Sequence, residues 1–171
     1  DLGRFHMLVG DYANALAYLE IASRAQLSRD DPKGTAGALR LLGRLYSELG
    51  EHQKAINTLR VCVSLAQEFK DDKNLFECSA NLGTAYLHIG DNERAGSAYD
   101  KGISEARRSG KPVDLATLLV NKGILLRNLG EPEKALPFYK EALAALADDK
   151  GIMKTAVRSS RGDALLEIGR L

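Results

Sequence analysis

Glycine spacing constrains this chain more than any other feature. Gly3 and Gly10, Gly43 and Gly50, Gly83 and Gly90, Gly123 and Gly130, and Gly162 and Gly169 form five pairs, each with its members seven residues apart. Successive pairs are separated by 40, 40, 40 and 39 residues, so one register accounts for ten of the 16 glycines. The flanking residues keep the same beat: LGRFHMLVGDYANAL from residue 2, LGRLYSELGEHQKAI from 42, LGTAYLHIGDNERAG from 82, KGILLRNLGEPEKAL from 122 and a closing RGDALLEIGRL from 161. Ala15, Ala55, Ala95 and Ala135 follow the second glycines at one fixed interval, and Leu19, Leu59, Tyr99 and Tyr139 follow those alanines at another. Self-similarity at this period is the mark of stacked supersecondary units, each burying its apolar face against the next.

Each period reads as two helices. Leu39, Leu42, Gly43, Tyr46 and Leu49 recur at three- and four-residue spacing, one apolar helical face. Gly50 ends that helix, because glycine tolerates the left-handed conformation of a C-terminal cap. A second amphipathic stretch then places Ala55, Ile56, Leu59, Cys62, Val63 and Ala66 inward. Pro32, Pro112 and Pro132 suit first helical turns, where a missing N–H costs nothing. The pattern predicts helices over 1–9, 12–28, 32–49, 52–69, 74–89, 92–109, 112–129, 132–147 and 152–168, with Pro137 a local kink inside the eighth. Gly3, Gly43, Gly83, Gly123 and Gly162 lie inside helices at about 1 kcal/mol each relative to alanine. That recurring penalty implies close helix approach, small glycine against small alanine on the paired helix.

The residues of unit two, Leu39-x-x-Leu42-Gly43-x-x-Tyr46 followed by Ala55-x-x-x-Leu59, resemble the tetratricopeptide repeat, with Leu39 in place of the usual Trp. Gly83, Tyr86, Ala95 and Tyr99 repeat the pattern, as do Gly123, Leu126, Ala135 and Tyr139. The period exceeds the usual 34 residues by about six. It is similar in this to the long-period subclass of Pins-type spindle-orientation adaptors and, more distantly, to kinesin light chain. Asn81-Leu82-Gly83 and Asn121-Lys122-Gly123 share the adaptors' motif; where those proteins place a further Asn after the glycine, this chain has Arg44, Thr84 and Ile124. The resemblance implies an all-α, right-handed α-solenoid of antiparallel helix pairs, the TPR superhelix. It spans 1–171 as a partial unit 1–31, units 32–71, 72–111 and 112–150, and a partial unit 151–171. Incomplete end units without a polar capping helix predict a segment of a longer solenoid.

Composition narrows the function. Lys plus Arg number 24 against 23 Asp plus Glu, a net charge of +1, whereas a general nucleic-acid binder needs an excess of cations to displace phosphate counterions. Apolar runs such as 115–120 and 142–147 are far too short to cross a membrane. The chain begins with Asp, with no basic, apolar and small-residue leader, and the expected compartment is the cytoplasm. Cys62 and Cys78 are too few for a disulfide framework and read as two small buried core residues, a redox pair being the alternative.

Scaffolds of this kind bind protein partners on a concave face lined by first helices. Rotating 100° per residue from a core face centred on Leu39 and Tyr46 puts Arg40, Leu41, Arg44, Ser47 and Glu48 on the groove side of the second unit. The same rotation gives Arg4, Met7 and Leu8 in the first, Glu77, Asn81, Thr84 and His88 in the third, Asn121, Arg127 and Asn128 in the fourth, and Asp163 and Glu167 in the last. The candidate partner-binding residues are Arg4, Arg40, Arg44, Asn81, His88, Asn121, Arg127 and Asn128. The face runs from basic through amide and apolar groups to acidic, which suits a peptide or helix of another protein carrying acidic side chains among apolar anchors. The plainer reading is a solvated charged face.

No catalytic residues, metal or cofactor are expected. His6 takes the place of Tyr46 and reads as core, His52 starts a second helix and reads as exposed, and none of the three histidines has metal-ligand spacing. The alternatives to a non-catalytic scaffold are a regulatory or sensor segment of a larger signalling protein, as in bacterial peptide-pheromone receptors, and a module that self-associates through its ends.

Overall fold

The computed structural model describes residues 2–147 and 152–169, and those residues form nine α-helices and no strand. They are α1 (Leu2–Leu8), α2 (Tyr12–Ser28), α3 (Pro32–Glu48), α4 (His52–Glu68), α5 (Asp72–His88), α6 (Asn92–Ser109), α7 (Pro112–Asn128), α8 (Pro132–Ala145) and α9 (Ile152–Ile168). The architecture is an all-α repeat solenoid. Packing divides the chain into two compact units, residues 1–95 and 96–171, with the division in the first turn of α6. The boundary expected between residues 150 and 151 lies outside the described residues.

Punctuation in the sequence explains the helix ends. Asp11, Asp31, Asp71 and Asp91 each accept a hydrogen bond from a backbone N–H three residues on, satisfying a donor that the helix leaves unpaired. Capping by Asp71 starts α5 two residues earlier than the apolar pattern predicts. Pro32, Pro112 and Pro132 each occupy a first helical turn, and α8 runs on through Pro137.

The left-handed turn recurs every twenty residues rather than every forty. Gly10, Gly50, Gly90 and Gly130 have φ of +75° to +77°, and Gly110 has +65°, but Asp30 and Lys70 hold the same position with φ of 55° and 51°. At Lys70 the following N–H, on Asp71, donates to Ala66 O at 2.8 Å, closing the helix as Glu51 N–H to Tyr46 O does beside Gly50. A side chain pays for this conformation sterically, and glycine does not. Lys70→Gly is therefore expected to raise stability by about 0.5–1 kcal/mol in a urea titration, the relief of αL strain outweighing glycine's greater unfolded-state entropy.

In the first unit each helix of α1 to α5 packs on the next, and α3 also touches α5. The six residues read onto the inner face of α4, from Ala55 to Ala66, are all buried. The buried face of α3 differs from expectation. It follows Ala38, Leu41, Leu42 and Leu45, whereas Leu39 and Tyr46 are half-buried and Leu49 is exposed. A first helix lies between its own second helix and that of the preceding repeat, so its buried arc is wider than one apolar stripe. Leu41, expected on the groove side, is buried for that reason, and Met7, also expected there, is buried in one apolar cluster with Leu19 and Leu41.

The in-register glycines do admit close packing, but against a large side chain and not against alanine. A Cβ on Gly3 would lie 2.7 Å from Leu19 Cγ, one on Gly43 2.5 Å from Leu59 Cγ, and one on Gly123 2.5 Å from Tyr139 Cε1. Each glycine is a socket for the residue four positions beyond the repeat's alanine. Gly162 has no such neighbour within 4 Å among the described residues.

In the second unit α7 packs on α8, α8 on α9, and α7 also reaches α9. Polar ties reinforce it. Arg107 donates through Nε and Nη2 to the two carboxylate oxygens of Glu141, both at 2.8 Å, and this fork holds its guanidinium pKa above the ordinary value. Lys122, largely buried, donates to Asp100 Oδ2 at 2.8 Å and Gly96 O at 3.3 Å.

Candidate partner-binding site

Three-to-four-residue spacing puts Arg44, Ser47 and Glu48 on one face of α3, and Asn81, Thr84 and His88 on one face of α5. These six side chains line an open recess of about 330 Å³ in the first unit. It brings together three of the candidate residues: a guanidinium, a carboxamide and an imidazole, with two hydroxyls beside them. Arg44 Nε lies 3.2 Å from Glu48 Oε1, close enough for an ion pair but without the alignment of a hydrogen bond. The Arg44 side chain as a whole is 43% exposed, although its Nε is buried.

His88, exposed, stacks on His52 of α4 with ring centroids 4.8 Å apart and planes inclined by 10°. His52 is half-buried rather than exposed, and its buried Nδ1 has no hydrogen-bond partner among the described residues. No spacing in the sequence marks this contact, which depends on the antiparallel register of α4 against α5. His6 is also half-buried rather than core: its ring bonds Asp11 Oδ2 at 3.0 Å and stacks on Tyr18 at 5.2 Å.

Arg40 stands apart from the recess. Its Nη1 lies 2.6 Å from Glu77 Oε2, and its Nε–H donates to Asn74 Oδ1 at 3.3 Å. Asn74, buried, donates in turn to Lys33 O at 3.4 Å and Asp71 Oδ2 at 2.6 Å. Arg40 therefore ties α3 to α5. Burial lowers its pKa, Glu77 opposes that shift, and the charges of Arg44 and Arg4 add to it. Arg4 itself is exposed on α1.

In the second unit, Arg127 Nη1 lies 3.4 Å from Asp163 Oδ2 and its Nε 3.2 Å from Glu167 Oε1, which joins α7 to α9. Asn121 is half-buried and Asn128 exposed, seven residues apart on α7. The basic-to-acidic progression along the chain is thus partly consumed by pairs between first helices: Arg40 with Glu77, and Arg127 with the two acids of α9. Among the described residues no three His, Cys, Asp or Glu side chains group as a metal site, and no helix is long and apolar enough to cross a membrane.

A family profile described as tetratricopeptide repeat matches residues 1–68 and 75–148. Among curated protein sequences none matches. Solved structures similar to the chain include BtubC (BKLC) from P. vanneervenii, at 21% identity and a TM-score of 0.85, covering 98% of this chain and 70% of that one. The TPR-like repeats of a Podospora anserina kinesin-light-chain-type protein match at 16% identity and 0.81, covering 99% and 84%. A Rap protein complexed with Competence and Sporulation Factor matches at 14% identity and 0.79, covering 98% of this chain and 47% of that protein. At these identities the likeness shows the shared fold.

Proposed function

The chain belongs to the tetratricopeptide repeat family, and on that premise we propose that it is a non-catalytic protein-interaction scaffold, part of a longer solenoid, that binds a peptide or helical segment of another protein along its first helices. The observation that carries this reading is the recess joining Arg44, Asn81 and His88. Its donors suit an acidic side chain, and the carbon stems of its polar lining residues suit the neighbouring residues of the same segment. The candidates then separate into two roles. Arg44, Asn81 and His88 contact the partner directly, with Arg4 contributing long-range attraction, while Arg40 and Arg127 hold adjacent first helices in position. In the second unit, Asn121 and Asn128 on α7 are partner contacts in their own right.

Arg44→Ala is expected to weaken binding by about 2 kcal/mol, roughly 30-fold, as a central anchor does. Lys101→Ala, on α6 outside the proposed face, should change affinity less than threefold. The measurement is titration of both variants against an array of acidic-and-apolar peptides, with circular dichroism confirming their fold. Equal effects at the two sites would remove the groove reading.

A sensor reading draws on one observation, the structural likeness to a Rap protein complexed with Competence and Sporulation Factor. In that case the occupant is a short free peptide and the chain is the regulatory segment of a larger signalling protein. A 6-residue peptide saturating the recess as tightly as a longer segment would favour it.

A further inference from the structure

We propose that Cys62 and Cys78 form a redox-responsive staple between neighbouring repeats of the first unit. They lie eight residues either side of the left-handed turn at Lys70, just as His52 and His88 lie eighteen either side, so the antiparallel α4/α5 hairpin sets both pairs face to face. The sulfurs are bonded, with Cα atoms 6.1 Å apart, inside the range that a disulfide spans. Both residues are completely buried. They are the only two cysteines of the chain, so the pairing has no internal competitor.

A neighbouring carbonyl offers the reduced state a hydrogen-bond partner. Cys62 Sγ lies 3.1 Å from Ala36 O on α3. A disulfide sulfur carries no proton and cannot donate to that oxygen; a thiol can. Reduction thus exchanges a covalent tie to α5 for a hydrogen bond to α3, within the same packing. The reaction is exchange with a low-molecular-weight disulfide. One protein thiolate attacks it, expelling a small thiolate and forming a mixed disulfide. The second cysteine then attacks the protein sulfur of that intermediate and expels the second small thiol. Two electrons and two protons leave the protein, and the small disulfide becomes two thiols. Because both sulfurs are buried, each step requires α4 and α5 to part locally, which confines the chemistry to this hairpin. This inference concerns the hairpin's stability and does not depend on what the recess binds.

The test equilibrates the full 171-residue chain in buffers spanning oxidised to reduced glutathione, quenches it in acid, alkylates it in denaturant and weighs the product. One transition is expected, from two alkylatable thiols to none, without a lasting glutathione adduct. Two thiols at every ratio, a bond that persists at every ratio, or a stable adduct in place of the internal bond overturns the proposal. In thermal unfolding the oxidised chain should melt about 6–12 °C above the reduced one, and Cys78→Ala should not respond to reductant. Equal melting temperatures of oxidised and reduced wild-type protein overturn the staple, whether or not the variant folds.

Discussion

Tyr139→Ala is expected to destabilise the second unit by about 3–5 kcal/mol, whereas Tyr139→Phe should change its stability by less than about 1 kcal/mol. The ring is fully buried on α8 and fills the socket that Gly123 leaves on α7. Truncation removes that ring from a site whose walls are helix backbone, which cannot collapse to fill the space. The hydroxyl is a separate matter. It is buried, burial raises its pKa above the usual tyrosine value, and it makes no aligned hydrogen bond, although the Arg127 guanidinium is near enough to pull that pKa down somewhat. Removing it loses little and relieves a desolvated polar group. Urea unfolding followed by circular dichroism checks both variants. A Phe variant as damaged as the Ala variant would mean that the hydroxyl, not the ring, holds α8 to α7.

The second large effect is expected at Glu77. Glu77→Ala should cost the first unit about 2–3 kcal/mol, because it strands the Arg40 guanidinium between α3 and α5, the cost being moderated by partial solvent access to both partners. Arg40→Met combined with Glu77→Leu should recover most of that loss, since two apolar side chains of similar bulk need no pairing. Asn74 sharpens the comparison: in the single variant it still accepts from Arg40, and in the double variant it keeps its bonds to Lys33 O and Asp71. A double-mutant cycle in which the losses simply add would show that the pair contributes nothing as a pair.

These two sites show what the sequence could and could not reveal. Helix ends were legible where they depend on proline in first turns and glycine at left-handed turns, whereas the aspartate cap at Asp71 moved the start of α5 two residues before the expected one. The repeat register was legible from the same glycines, and the inner face of α4 was legible too. What the glycines make room for was not. Choosing Leu59 or Tyr139 over the nearby alanine requires knowing how far two helices slide past each other. The bonded pair Cys62–Cys78 and the stacked pair His52–His88 depend on that same offset. Asp30 and Lys70 stayed hidden because residues that dislike a left-handed turn were placed in one by the helices on either side. Among the candidate site residues, the recess trio shared a face that rotation alone could find. Arg40 and Arg127 shared it too, yet each is engaged by acids that lie 36 to 40 positions later in the chain, beyond the reach of a single-helix projection.

The same reach has a kinetic consequence. Tertiary ties span 16 residues for the disulfide, 34 for Arg107 to Glu141 and 41 for Asn74 to Lys33, at most about one repeat. No loop much longer than one repeat must close before such a contact can form. Chains built of contacts this short in sequence reach their native topology in microseconds to milliseconds, and a nucleus can start in any repeat and spread to its neighbours. Damage is correspondingly local: a lesion such as Tyr139→Ala should speed the opening of its own repeat and leave amide exchange in α3 and α4 as slow as before.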